Sequence, residues 1–403
     1  MKWLRGGRST PRISRPPGQA APPSFLELFF DLAFILVFAQ LSHDLVQNLT
    51  WHGAFQTLIL LLTTWWAWVL TVWVTDLFNP RLPKIQVMVI LIMLGVFLMA
   101  LVMPTAFETR ALFFAGAYLA IHVARDGVLI PATRANRTVQ ARSVRVIFWH
   151  GLTSPLWVGG AIAHGDTQLV LWAAALVIEY VSATYGWPTP GLGRTALAAR
   201  IFAGPHLHER HLQILVIAIG EMILGVGLRV VGRPFAFESV AATAAAFVGA
   251  LLVFLIYVNR VRELVAGPSI TLLEQTRRGI LMSHSHLVMV AGIVVLAAAA
   301  DLAARDPLHR ENVAWTIAAA GGPALFLLGS SLFDLVVHRS FRPRLVGMLV
   351  LLAIMPALPV LPMFAVLILI DVVLATTLVV ELAVARPRTT PSPPAHATDV
   401  RSS

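Results

Sequence analysis

Twelve apolar stretches, each long enough to cross a lipid bilayer as a helix, divide this 403-residue chain. Roughly 20 apolar residues in helical form span the hydrocarbon core. The spans predicted on that basis are about 25–46, 54–75, 85–103, 111–130, 146–163, 168–186, 211–231, 239–258, 282–302, 313–333, 344–360 and 362–383. They run without the apolar–polar alternation of membrane barrel strands, and a lipid-exposed backbone must satisfy its own hydrogen bonds. The expected fold is therefore all-α: a polytopic integral membrane bundle of about 12 transmembrane helices. Composition agrees, with 58% hydrophobic and only 12% charged residues, against about 25% charged in soluble domains. Pro356, Pro359 and Pro362 leave a hairpin-like break between the last two spans.

Positive charge follows the topology. Of 30 Lys and Arg residues, all but Arg110, Arg229, Arg233, Arg305 and Arg310 fall in or beside the N-terminal tail, the even-numbered connections or the C-terminal tail. Cationic loops stay cytoplasmic, so both termini are expected on the cytoplasmic side. The net charge of +10 is spread over seven segments, with no stripe or arm for nucleic acid. The expected partners are the bilayer itself and its anionic headgroups. The chain has no Cys, which excludes disulfides, thiolate metal sites and cysteine nucleophiles. The first apolar stretch is full length and reads as an anchor, not a cleavable signal.

Residues 1–24 and 386–403 read as basic and Pro-rich disordered tails flanking one transmembrane domain, 25–385. The connection from Tyr185 to His211, broken by Pro188, Pro190, Gly191, Gly193, Gly204 and Pro205, divides the spans six and six, into about 25–186 and 206–385. That division suggests an internal duplication, as transporters often have. The best local match aligns Ala111–Gly116 with Ala324–Gly329.

Ionisable residues inside a bilayer cost several kcal/mol unless paired, protonated or hydrated, so each is a functional candidate. Glu27 and Asp31 share one face of the first span at i and i+4. Gln40, His43 and Asp44 lie towards its other end. The seventh span opens with His206, His208, Glu209, Arg210 and His211 and carries Glu221 near its middle. Arg210 and Glu221 are eleven residues apart and point the same way. Gly220, Gly225 and Gly227 around Glu221 would admit a close helix neighbour. Asp31, Glu221 and Glu27 are the candidate transport or proton-binding residues, with Arg210 and Glu209 as ion-pair partners. The alternative is structural: an interhelical pin that fixes register.

Secondary candidates are His43, His206, His211, His286, Glu179 and Asp334. Arg125 is expected to snorkel to the headgroups and Glu381 to be wetted near its helix end. His284 and His286 diverge by about 200° on a helix and cannot both face one ion, whereas His208 and His211 could if the helix starts before them; without a defined partner carboxylate, no metal site is expected. No phosphate loop, nucleophile turn or HExxH is present, so no cofactor is expected and an enzyme is the less favoured class.

The stretches Phe25–Phe34, Glu209–His211 through Glu221, and His286–Ile293 resemble the bacterial low temperature requirement protein A family, over roughly 24–385. The Trp-rich second span followed by Asp76-Leu-Phe-Asn79-Pro80 is similar too. Members often show Val where this chain has Ala33, and Ser after the Gly-Glu pair where it has Met222. The resemblance implies a multi-pass protein of the bacterial inner membrane. It marks Glu27, Asp31, Glu209, Arg210 and Glu221 as motif positions and supplies no substrate. The resulting expectation is a transporter or permease-like protein for a small solute or ion, driven through intramembrane carboxylates. The alternatives are a membrane enzyme or sensor with a cytoplasm-facing His/Glu/Arg cluster, and a structural protein.

Overall fold

Ser24 starts the bundle. Its hydroxyl accepts from the Glu27 N–H, and the Glu27 carboxylate accepts in return from the Ser24 N–H at 2.8 Å. This reciprocal capping box satisfies orphan donors that lipid could not. The computed structural model describes residues 22–195, 204–232, 236–264, 272–310, 313–337 and 342–385. Both predicted tails, apart from residues 22–24, lie outside the described residues.

Twelve helices follow among the described residues, each overlapping one predicted span: α1 Phe25–Gln47, α2 Trp51–Leu77, α3 Pro83–Val102, α4 Ala111–Ala132, α5 Arg137–Ala163, α6 Gly165–Thr184, α7 Gly204–Val230, α8 Phe237–Leu264, α9 Leu272–Arg305, α10 Val313–Val337, α11 Arg342–Ile354 and α12 Met363–Ala385. In the last-but-one span the helix stops at Ile354, and Met355–Val360 continues it as a 3₁₀ segment through the prolines. Twelve segments are long and apolar enough to cross a membrane. Among the described residues there is no β-strand, only an isolated bridge between Thr189 and Gly193.

Helices α5 and α9 begin well before their apolar cores. Hydropathy stops where hydrocarbon stops, whereas a helix stops where its backbone is capped. Asn136 caps α5 by accepting from the Val139 N–H at 3.3 Å. The extra turns carry Arg137, Arg142 and Arg145, and Arg145 donates to the Leu192 carbonyl at 2.6 Å.

Helix α1 shows how such a chain distributes polarity. Phe25, Leu28, Phe29 and Leu32 are exposed, at i, i+3, i+4 and i+7, while Glu27 and Asp31 on the opposite face are completely buried. A soluble helix does the reverse; here the solvent around the bundle is apolar. The most buried span is α2, whose Trp65, Trp66, Trp68 and Trp73 all lie in the core. Helices α9 and α10 meet backbone to backbone. A Cβ on Gly292 would come within 2.5 Å of the Gly322 carbonyl oxygen, so only glycine permits the crossing.

The neighbour order repeats. In α1–α6 the first helix packs on the third, the third on the fourth, the fourth on the fifth, the fifth on the sixth and the second on the sixth, and the same order holds in α7–α12. The short match noted above falls on corresponding helices but out of register: Ala111 opens α4, whereas Ala324 lies mid-way along α10. Helices α1 and α7 touch each other between the two groups of six.

Candidate functional site

Helices α1 and α7 begin at Phe25 and Gly204, and side chains equally far from those starts meet across the seam. Glu27 Oε1 lies 3.2 Å from His206 Nε2. Arg210 Nη2 donates to Asp31 Oδ1 at 2.7 Å, and the Ser42 hydroxyl donates to Glu221 Oε1 at 3.3 Å, each pair being 179 residues apart. The two helices therefore run parallel in one register. Asp31 and Ser42 are separated by about 16 Å of helix rise, as are Arg210 and Glu221. The seam has a lower rung at the end where the helices start and an upper rung near the far face. Between them it is dry: Phe34, Val37, Phe38, Ile214 and Ala218 are buried there.

The lower rung is a sealed network. Asp31 also accepts from Trp68 Nε1 at 2.8 Å, and Arg210 stacks over the Phe30 ring at 5.9 Å. His206 bridges two carboxylates, with Nδ1 3.0 Å from Asp76 Oδ1 on α2. Glu27, Asp31, His206 and Arg210 have essentially no exposed surface. Beside them His211 contacts the Ser283 hydroxyl at 3.0 Å, and the Tyr257 hydroxyl contacts His286 Nε2 at 2.8 Å. The His211 and His286 rings lie 4.8 Å apart. His284 points outward and is exposed, as the i, i+2 divergence requires. Glu209 is half-buried and, among the described residues, joins neither rung.

The upper rung borders space. A cavity of about 330 Å³ is lined by Gln40, Ser42, His43, Glu221, Arg229 and Asp301, with apolar residues between them. Asp301 accepts from Arg229 at 2.6 Å and from Arg305 at 2.7 Å. The lining on α1 ends at Ala39, so this cavity does not reach Asp31. Of the glycines near Glu221 only Gly225 lines this space, and none of them serves a helix crossing. A Cβ at Gly220 or Gly227 would meet nothing within 4 Å, and one at Gly225 would meet only Glu221 Oε1, at 3.3 Å. A larger cavity of about 670 Å³, lined by Leu45, Trp51, Ile317, Leu325 and Met348 among others, is almost wholly apolar.

Two further polar clusters sit in the outer trios of helices. On α4–α6, Glu179 accepts from the Tyr118 hydroxyl, from Thr153 at 2.7 Å and from Trp157 Nε1 at 3.0 Å. Arg125 does not snorkel: it is buried and paired with the adjacent Asp126 at 2.7 Å. On α10–α12, Glu381 is not wetted either. Arg344 grips it through Nη2 at 2.7 Å and Nε at 3.1 Å, and reaches Asp334 at 3.4 Å. Among the described residues no group of three or more His, Asp or Glu is placed to hold a metal ion.

The glutamates, Asp31 and Arg210 were evident from sequence; their partners Trp68, Asp76, Ser42, Thr153 and Trp157 were not. One signal was readable: Ser24-x-x-Glu27 spells a capping box, which fixes the depth of Glu27 at the helix start.

The model of the bacterial low temperature requirement A proteins (LtrA) matches residues 23–379, which carry both rungs and both outer clusters except Glu381. The chain belongs to the LtrA family. An uncharacterised protein of Rhizobium meliloti (strain 1021) is 29% identical over 367 residues, covering 89% of this chain and 88% of the relative. No solved structure matches. As an LtrA protein this chain is a multi-pass membrane protein, and the helices explain its motif stretches physically. The Phe25–Phe34 and Glu209–Glu221 stretches face each other across one seam. The His286–Ile293 stretch supplies both the Tyr257 contact and the Gly292 crossing. Met222 is buried and offers Glu221 no hydroxyl; the hydroxyl arrives from Ser42 on α1.

Proposed function

We propose that this LtrA-family chain is a transporter or permease-like protein that moves a small polar solute or ion, with α1 and α7 as the moving seam. The observation that carries the reading is the unequal state of the two rungs: Asp31–Arg210 is closed and dry, whereas Ser42–Glu221 opens on a polar cavity. A membrane transporter must offer its site to one side while sealing the other, and repeated halves rocking about a shared seam achieve this. The recurring neighbour order of α1–α6 and α7–α12 supports such halves, about 25–186 and 206–385. In this reading the termini and the sealed rung lie on the cytoplasmic side, which the charge distribution supports, and the cavity faces outward. Glu27, Asp31 and His206 would exchange partners as the seam opens inward, and Glu221 would exchange its proton or solute with the cavity. The spacing of these groups along two parallel helices supports passage over catalysis, which would gather them at one point.

Two measurements test this. The chain has no cysteine, so single Cys substitutions at Gln40 and Ile214 can be labelled with a membrane-impermeant maleimide in intact cells. Gln40→Cys is expected to react from outside, and Ile214→Cys to stay protected. In proteoliposomes holding a pH-sensitive dye, Asp31→Asn and Glu221→Gln are expected to abolish solute-dependent proton movement across a panel of amines, amino acids and inorganic cations. Unchanged flux in both variants would refute the coupling.

A further inference from the structure

The α4–α6 cluster is separate from the seam and does not depend on it. Tyr118, His122, Arg125 and Asp126 lie along one face of α4; His150, Thr153 and Trp157 along one face of α5; and Glu179 on α6 closes the group. All eight are buried. Three neutral donors converge on Glu179, an arrangement that suits an ionised carboxylate, since only that form is purely an acceptor. Yet among the described residues no Lys or Arg pairs with it, because Arg125 is taken by Asp126.

The imidazoles supply what is missing. His150 Nδ1 lies 2.8 Å from the Val146 carbonyl. A carbonyl only accepts, so Nδ1 carries a hydrogen and the Nε2 of a neutral ring presents a lone pair. That Nε2 faces Glu179 Oε2 at 3.9 Å. Two acceptors facing each other in a dry place are stable only with a proton between them. His122 stacks on His150 with ring centroids 3.7 Å apart, and among the described residues neither of its nitrogens has a hydrogen-bond partner. Counting ionised Glu179, Asp126 and Arg125, the cluster carries one uncompensated negative charge, which a single proton cancels.

The Arg125–Asp126 end of the cluster adjoins a small space. A cavity of about 40 Å³, enough for one or a few waters, is lined by Arg125, Asp126, Arg142, Ser143, Val146 and Trp187 at the end of the bundle where α1 starts. Val146 is shared between the cavity wall and the His150 hydrogen bond, and His122 lies one turn along α4 from Asp126. The surrounding helices add little charge: α2 contributes Asp76 at its end and His52 at the opposite end, α3 only Lys84, and α6 only Tyr180, which donates to the Leu62 carbonyl at 3.0 Å, and Asp166 at its start.

We propose that His150 and Glu179, with His122 as the entry group, form a buried site that binds one exchangeable proton reached through the Arg125–Asp126 cavity. Binding converts the facing imidazole and carboxylate into an imidazolium–carboxylate pair or a carboxylic acid hydrogen-bonded to the ring. No other bond changes.

The test uses the full chain in lipid nanodiscs, comparing ¹⁵N-histidine NMR and pH-difference infrared spectra over about pH 5 to 8, the range in which imidazoles change charge. The expected result is one pH-dependent His150/Glu179 signal, corresponding to one proton per chain. It should vanish in Glu179→Gln and His150→Asn and persist in Asp371→Asn, which alters a carboxyl on α12. A signal that survives Glu179→Gln overturns the proposal. So does a rise in thermal stability with Na⁺ or K⁺, but not choline, that Glu179→Gln removes, because the site would then hold a metal cation. Should the variants fail to fold, the wild-type spectra decide alone: His122 and His150 neutral throughout, with no protonated-carboxyl band, overturns it equally.

Discussion

Helices α4, α5 and α6 pack in order, and so do α10, α11 and α12. Each trio buries an aspartate on its first helix, Asp126 or Asp334, and a glutamate on its last, Glu179 or Glu381. The cation differs. In the second trio Arg344 stands on the middle helix and spans both acids, donating also to Ser330 and to the Ile256 carbonyl. In the first, the arginine sits on α4 beside its own aspartate, and the middle helix offers His150 instead. A guanidinium keeps its charge in every protein environment, so the second trio is locked. An imidazole can gain or lose its proton, so the first is switchable. Equivalent helices thus carry a rivet on one side and a titratable group on the other.

The sharpest way to break this comparison is Arg344→Met. It takes the guanidinium away from two buried carboxylates, and a buried ion pair that loses one member costs about 3–5 kcal/mol. Thermal unfolding in detergent is expected to show a large drop, and a shift within experimental scatter would mean that Arg344 is no rivet. Glu381→Gln comes next. The guanidinium keeps Asp334, Ser330 and the Ile256 carbonyl but exchanges its charged two-oxygen acceptor for one neutral amide oxygen, a loss on the order of 1.5–3 kcal/mol for hydrogen bonds to a charged group. The same substitution in the first trio should cost much less. In Glu179→Gln the amide oxygen still accepts from Thr153 and Trp157, and its NH₂ can donate to the His150 lone pair and to the Tyr118 oxygen. We expect a change below about 1 kcal/mol. Equal costs for Glu179→Gln and Glu381→Gln would erase the distinction.

The ease with which the spans were read from sequence, and the difficulty with the clusters, share a cause. Each helix must satisfy its own backbone in lipid, so a local apolar run is enough to locate it. Facing within one helix was equally legible: Glu27 with Asp31, and Arg210 with Glu221, follow from residue spacing alone. Partners contributed by other helices were not, because crossing geometry is a long-range property. Glu381 was misjudged for this reason, and Arg125 was misjudged although its partner, Asp126, is the next residue. Depth alone suggested wetting, whereas a neighbour at Asp126 and a distant Arg344 made burial tolerable. The glycines near Glu221 misled in the opposite way. Small residues suit both helix crossings and cavities, and only the fold assigns Gly292 to the first and Gly225 to the second.

The smallest expected effect is also the most discriminating. His122 is fully buried, stacked on His150, and among the described residues has no hydrogen-bond partner on either ring nitrogen. If its role were structural, replacing it would remove something the fold uses. If it is an entry group for protons, the resting fold uses only its ring face. His122→Phe keeps a flat ring against His150 and the Tyr118 edge, which lies 4.5 Å away, and deletes two polar atoms that the protein leaves unsatisfied. Replacing an unsatisfied buried polar group with an apolar one of similar shape is near neutral or stabilising, so the thermal midpoint is expected to stay level or rise by the equivalent of about 1 kcal/mol at most. The rate of proton exchange at His150 should fall in the same variant, while the number of protons bound stays at one per chain. A loss of more than about 1.5 kcal/mol would instead place His122 in the rivet class, and the two trios would then differ in residue choice but not in kind.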